Sequence, residues 1–240
     1  MRLARASVAL LLTLSACSGH RQPPVAEAPA PPSGLLWVRS SAEFAAVHQQ
    51  IYRQAAARLE SLVASKPPGT WVVSLDGDDT VLDNTLYARE RWQASGTFYS
   101  ETTWAAWVER REAPAMPGVA DFLHRVRALG GRIALVTNRR AAQCAATEDN
   151  LKRLALPYDV ILCRAETSEK EDRWKALAAG TAVPGLPPLE IVMWVGDNIM
   201  DFPDLTQEVR GAEPALDAFG DRFIVLPNPI YGSWEKRPLQ

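Results

Sequence analysis

The chain has 240 residues, 47% of them hydrophobic and 22% charged, and a formal net charge of −2. That length suits one α/β domain with a modest insertion, and the apolar fraction argues against an intrinsically disordered chain. Three histidines and three cysteines without Cys/His zinc spacing argue against a zinc site, and no basic cluster or RNA-binding pattern points to a nucleic-acid polymer as partner.

The N-terminus reads as an address. Arg2 and Arg5 precede an apolar stretch from Val8 to Leu14, and Leu14-Ser15-Ala16-Cys17 follows at once. A short positive region, a short apolar core and small residues before a cut site make a secretory signal. The apolar run is far below the ~20 residues that span a bilayer. A signal ending in Leu-Ser-Ala-Cys resembles a bacterial lipobox, which implies that Cys17 is lipidated and becomes the mature N-terminus. An ordinary signal peptide with a cysteine near its end is the alternative. Ser18, not Asp, follows the cysteine, and the same resemblance then favours the outer membrane within a lipid-anchored cell-envelope location. Cleavage after residue 16 removes two arginines and no acids, leaving 24 basic against 28 acidic side chains, a charge of −4. Residues 17–36 hold Pro23, Pro24, Pro29, Pro31 and Pro32 with few bulky apolar side chains, the composition of an extended tether. The folded domain is therefore expected over 37–240.

Ser40-Ser41-Ala42-Glu43 has the form of a capping box with Ser40 as N-cap. Phe44, Val47, Ile51, Ala55, Leu59 and Leu62 then recur at helical spacing, predicting a helix across 40–65. Trp71–Leu75 predicts a buried strand. Further strands are expected at Arg132–Thr137, Val160–Cys163, Ile191–Val195 and Arg222–Leu226, with helices near 118–129, 141–154 and 170–179 between them. Residues 83–116 break the alternation with aromatic, charged, helix-prone sequence, read as a cap packed with the 40–65 helix. The fold class is α/β: a three-layer, Rossmann-like, mostly parallel sheet with a small helical cap inserted after the first strand. Cys144 and Cys163 are either a disulfide or two buried thiols.

The chemistry gathers where ligands bind in open α/β sheets, at the carboxyl ends of strands. The first strand runs into Asp76-Gly77-Asp78-Asp79-Thr80, with Asp83 close behind. So many carboxylates repel unless something offsets them, and a hard divalent cation such as Mg²⁺ does so. A polar turn or a structural calcium loop would explain that motif alone. The second strand ends in Thr137-Asn138-Arg139, placing a hydroxyl within reach of a phosphoryl oxygen. Lys170 opens a helix, and the fourth strand ends in Gly196-Asp197-Asn198, with Asp201 and Phe202 next.

Asp-x-Asp-x-Thr, Thr, Lys and Gly-Asp-x(3)-Asp, in that order at strand and helix ends, resemble the haloacid dehalogenase superfamily. Leu82-Asp83-Asn84, Trp104-Ala105-Ala106-Trp107-Val108 and the terminal Pro227-Asn228-Pro229-Ile230-Tyr231-Gly232-Ser233-Trp234-Glu235 resemble class C nonspecific acid phosphatases, which include outer-membrane lipoproteins. Two departures are Asp79, where Glu is usual, and Thr137, where Ser is usual. The resemblance implies a Mg²⁺-dependent phosphomonoesterase acting on nucleoside monophosphates or other small phosphomonoesters. Asp76 would be the nucleophile and Asp78 the general acid and base. Thr137 and Lys170 would bind phosphoryl oxygens, with Lys175 or Lys152 as fallbacks for Lys170. The metal would take the Asp76 carboxylate, the Asp78 carbonyl and Asp197, with Asp201 fixing a metal-bound water. Asn138, Arg139, Trp104 and Tyr231 would contact substrate, the two aromatic residues by sandwiching a ring. A dehalogenase has no use for the metal ligand Asp197, and a surface ligand-binding lipoprotein with little turnover is the remaining alternative.

Overall fold

The computed structural model describes residues 30–238. The expected signal segment, Cys17 and most of the tether lie outside the described residues. Strand β1 (Trp71–Leu75) is buried along its whole length, as a run apolar except for Ser74 demands when both faces of a sheet are covered. It pairs in parallel with β2 (Arg132–Arg140) and β4 (Glu190–Gly196). Outside these lie β3 (Val160–Arg164) and β5 (Phe223–Val225), giving the order β3-β2-β1-β4-β5 with every pairing parallel.

Alternation along the strands divides the interior between two faces. Val73, Leu75, Ile133, Leu135, Met193 and Val195 share one core with α2 (Ala42–Val63), α5 (Val119–Ala128) and α6 (Cys144–Arg153). Val72, Ala134, Val136 and Val160 form the other with Trp174 and Leu177 of α7 (Glu171–Ala179). Ser74 faces that second core, and its hydroxyl accepts the Trp174 indole N–H at 2.9 Å. Helices thus cover both faces, the expected three layers.

Two helices fill the segment after β1: α3 (Thr85–Ser95) and α4 (Glu101–Arg110). Their buried Tyr87, Trp107 and Val108 belong to the same core as α2 and α5. The first helix, α1 (Ser33–Ser40), packs against α3, and Arg39 donates to the Thr85 hydroxyl at 3.0 Å. This corrects the expected tether boundary at residue 36. Leu35 and Val38 are buried, so the Leu35–Val38 apolar run has enough surface to order a helix directly after Pro32. The cap of the next helix also moves by one residue. Ser40 closes α1, and the Ser41 hydroxyl accepts the Phe44 N–H at 3.1 Å while donating to the Trp37 carbonyl at 2.7 Å.

Cys144 and Cys163 form a disulfide across a Cα separation of 6.1 Å, tying the first residue of α6 to β3. Gly180 ends α7 with a φ of 71°, the left-handed stop that glycine supplies most readily. Among the described residues no helix is long and apolar enough to cross a membrane.

Candidate active site

The site begins where β1 ends. The Asp76 N–H donates to the Val195 carbonyl of β4 at 2.9 Å, continuing the ladder by one residue. The chain then turns tightly: the Gly77 carbonyl accepts the Val81 and Leu82 N–H groups, and the Asp79 N–H donates to the Leu82 carbonyl. Asp79 takes a φ of 51°, a left-handed conformation that Asp tolerates better than most side chains. A Cβ at Gly77 would lie 2.9 Å from Thr137 Oγ1, so glycine is what lets the ends of β1 and β2 approach. From below, the buried Tyr52 of α2 donates its hydroxyl to the Thr80 carbonyl at 2.6 Å.

This turn aims Asp76 at the end of the sheet. Its Oδ2 accepts the Asp78 N–H at 3.0 Å, and its Oδ1 is ion-paired with Lys170. The Lys170 side chain is only 2% exposed and also reaches Asp201 Oδ1 at 2.7 Å. Burial pushes the Lys170 ammonium down, but Asp201 and Asp76 together outweigh it and leave the group raised above its ordinary value. Of the three lysines considered, Lys152 and Lys175 sit in exposed pairs with Glu148 and Asp172, so Lys170 is the one in the site.

β4 delivers Asp197, whose Oδ1 accepts the Thr80 hydroxyl at 3.1 Å and whose Oδ2 accepts the Asn228 amide at 2.8 Å. Asp201 follows on a short 3-10 turn, its Oδ2 accepting the Asn198 N–H at 2.9 Å. Burial, then Asp201 and Asp76, push the Asp197 carboxyl well up. Burial raises Asp201 to about 6 against the opposing pull of Lys170. Asp76, Asp197 and Asp201 each offer an oxygen, all within 4.8 Å of one another. Hard carboxylate oxygens crowded this closely are a donor set that fits a divalent cation.

Asp78 is held from one side. Arg139 Nε and Nη2 lie 2.9 and 2.8 Å from its Oδ1, and the Asn84 amide donates to the same oxygen at 2.9 Å. No described side chain donates to Oδ2, so the carboxyl offers that oxygen to the cavity. Arg139 is fixed in turn by the Thr147 hydroxyl at 3.1 Å, and the Asn84 carbonyl oxygen accepts the Trp107 indole N–H at 2.7 Å. Arg139 was expected on the substrate. It lines the cavity, but its side chain is 1% exposed and held on the Asp78 carboxylate. Sequence reasoning gave Asn84 no role, although its place directly after Asp83 was the signal available.

The remaining acidic residues of the first motif point elsewhere. Asp79 is buried, accepts the Asn84 N–H at 2.8 Å and takes the Tyr231 hydroxyl at 2.6 Å. Burial raises Asp79 to about 7, against the lowering effect of those two bonds. Asp83 turns back to cap its own chain, accepting the Thr85 N–H at 2.8 Å, and does not join the carboxylate group.

Thr137 is fully buried, and its hydroxyl oxygen accepts the Arg139 N–H at 3.1 Å, which leaves the hydroxyl proton free to donate. Asn138 is exposed, its carbonyl oxygen accepting from Arg173 at 2.8 Å. Asp76, Asp78, Asn138, Asp197, Trp104 and Tyr231 all line one cavity of about 510 Å³. Trp104 and Tyr231 lie on its walls, the first set edge-on to Tyr87 at 5.1 Å and the second fixed by Asp79.

A parallel sheet with paired aspartates at β1, a threonine at β2, a buried lysine and further aspartates at β4, under a helical cap, defines an α/β domain of the haloacid dehalogenase type. Residues 25–234 match the family model described as HAD superfamily, subfamily IIIB (Acid phosphatase), and the chain belongs to that family. The class C acid phosphatase from Bacillus anthracis superimposes with a TM-score of 0.72 at 30% identity, covering 84% of this chain and 85% of that one. The same Bacillus anthracis enzyme with tungstate bound gives a TM-score of 0.71 at 30% identity over the same shares. Among sequences, the stem 28 kDa glycoprotein of Glycine max is 29% identical over 175 residues, which are 69% of this chain and 60% of that protein. A stem 31 kDa glycoprotein of Glycine max is 34% identical over 173 residues, 68% of this chain and 52% of that one. The chain therefore spans between half and three-fifths of the length of these plant relatives.

Proposed function

We propose that this chain is a Mg²⁺-dependent phosphomonoesterase working through an aspartyl-phosphate on Asp76, with nucleoside monophosphates and other small phosphomonoesters as substrates. The observation that carries this reading is the convergence of Asp76, Asp78, Lys170, Asp197 and Asp201 at one end of the sheet. Tungstate is a tetrahedral oxyanion like phosphate, and a Bacillus anthracis enzyme of this similarity that binds it supports a phosphoryl group as the ligand here.

Asp76 attacks phosphorus through a carboxylate oxygen as the bond to the leaving alcohol breaks, and Asp78 gives its proton to the departing oxygen. Asp78, now a carboxylate, takes a proton from water, whose oxygen attacks the phosphorus. The bond to Asp76 breaks, inorganic phosphate leaves, and both carboxyl groups return to their starting states. Lys170 holds the Asp76 carboxylate in place, and the free proton of the Thr137 hydroxyl donates to a phosphoryl oxygen. Held by Asp76, the Asp78 carbonyl and Asp197, with Asp201 reaching it through water, Mg²⁺ would neutralise charge on the phosphoryl oxygens and orient them. Trp104 and Tyr231 line the cavity that would receive the leaving group, and stacking accepts many rings. A binding protein without turnover would have no need to keep this whole set together.

The lipobox at Leu14–Cys17 supports a place in the cell envelope, anchored through lipid on Cys17. The function is tested by phosphate release from the purified chain on small phosphomonoesters, before and after EDTA and with Mg²⁺ added back. Turnover silenced by EDTA and restored by Mg²⁺ is expected; undiminished turnover in EDTA would contradict the metal requirement.

A further inference from the structure

Resting on that phosphomonoesterase reading, we propose that the preferred substrate carries a second anionic group, and that Arg140 and Arg164 receive it. In the pairing of β2 with β3 these two arginines stand directly opposite each other. Like charges in that position repel, so the arrangement costs stability unless an anion sits between them or a use maintains it. Only Arg140 has a carboxylate partner, Glu101 of the cap helix α4. Arg164 is half-buried, and its side chain makes no hydrogen bond or ion pair with any described residue.

The fold holds the two strand ends together against this repulsion. Cys163, immediately before Arg164, is disulfide-bonded to Cys144, four residues after Arg140. The Arg140 N–H is fixed by the Gln143 side-chain oxygen at 2.9 Å. The positive field reaches its neighbours: both arginines act to lower the Tyr99 phenol against its burial, and Arg164 adds to the lowering of Arg173 that burial begins.

The location relates the pair to the reaction. Arg140 and Arg164 line the same cavity as Asp76 and Asp78. Thr137 and Arg140 lie three residues apart on β2, in the stretch where its register with β3 shifts between Val136 and Arg140. Phe98, Tyr99 and Trp104 of the cap line the same cavity, a wall suited to a flat apolar body. At about 510 Å³ the cavity falls in the range that encloses a whole small-molecule ligand, well beyond a lone phosphate. The ligand class is therefore a phosphomonoester on a planar body, with a carboxylate or second phosphate at the end away from the transferring phosphoryl group.

The test compares two synthetic substrates, biphenyl-4-yl phosphate and its 4′-carboxylate derivative. The remote carboxylate barely alters the leaving oxygen, so any difference reports on binding at the far end. The wild type should show a KM for the carboxylated compound lower by about fivefold or more, the scale of a half-exposed ion pair, with kcat little changed. That preference should shrink with added salt and fall to about one in Arg164→Gln and in the Arg140→Gln/Arg164→Gln double variant. Equal KM values in the wild type, or a preference surviving in the double variant, would overturn the assignment. The corresponding phosphonates, which cannot be hydrolysed, give the same comparison by calorimetry. A carboxylate preference in binding without turnover of either phosphate would sink the phosphatase reading and leave this site standing.

Discussion

Arg139→Met offers the most informative perturbation of the site short of its nucleophile. Methionine keeps the apolar stem and removes a guanidinium that makes two close approaches to Asp78 Oδ1, one bond to Thr147 and a longer one to Asn84. Removing one partner of a buried ion pair costs ~3–5 kcal/mol, mostly from the charge left behind. Here the abandoned Asp78 is 18% exposed and keeps the Asn84 amide, so water offsets part of the loss and the lower end, about 3 kcal/mol, applies. For a domain of this size that is a fall of roughly 6–12 °C in Tm. Urea unfolding at neutral pH, with EDTA present so that metal binding does not contribute, measures it directly. Asp78→Asn alone and the double variant complete a thermodynamic cycle. Because the two residues touch, the double variant should be more stable than the sum of the singles implies, by ~1–3 kcal/mol. A single-variant cost below ~1 kcal/mol, or strict additivity, would refute the claim that Arg139 holds Asp78.

Three further predictions follow from other parts of the chain. Asp78→Asn should lose ~10²–10⁴-fold on nucleotides, whose leaving oxygen is basic, and far less on activated aryl phosphates; equal losses on both would assign Asp78 another role. His48 is buried, with Nδ1 bonded to the Phe44 carbonyl, Nε2 without a partner among the described residues, and the Asp83 charge acting to raise its pKa. Burial lowers its pKa in the folded chain, so below about pH 6.5 the unfolded chain binds a proton that the folded one refuses. Stability should then fall with pH by up to ~1.4 kcal/mol per unit relative to His48→Leu; parallel wild-type and variant profiles would show that His48 is protonated in place. Cys17→Ala should abolish lipid labelling and give a precursor or soluble form, and an unmodified wild type in the soluble fraction would count against the anchor.

What could be read in the sequence was mostly local. Trp71–Leu75 is apolar except for Ser74 and has the length of a strand covered on both faces, and it ends in the carboxylates it positions. The order of Asp76, Thr137, Lys170 and Asp197 placed each at an element end because those ends are where the apolar pattern stops. What was not legible depends on side chains meeting across the chain. Arg139 and Asp78 are 61 residues apart, and no spacing rule brings their charged groups together. Nor does the sequence say that Asp83 turns back on its own backbone while Asp79 turns toward Tyr231. Arg164 attracts no notice as one of many arginines, since its interest lies wholly in standing opposite Arg140. At the N-terminus the proline-rich composition hid α1, because four apolar residues after Pro32 suffice only when α3 is there to bury them.

The most direct test of the central claim is to look for the covalent intermediate. Acid-quenched protein, taken during turnover of an activated aryl phosphate with Mg²⁺ present, would be digested and its peptides weighed. Asp78→Asn should accumulate more of the intermediate than the wild type, because it cannot draw a proton from the hydrolytic water. One phosphoryl group is expected on the peptide containing Asp76, absent from Asp76→Asn along with turnover. Steady phosphate release from Asp76→Asn, or a phosphoryl group trapped on any other residue, would contradict it.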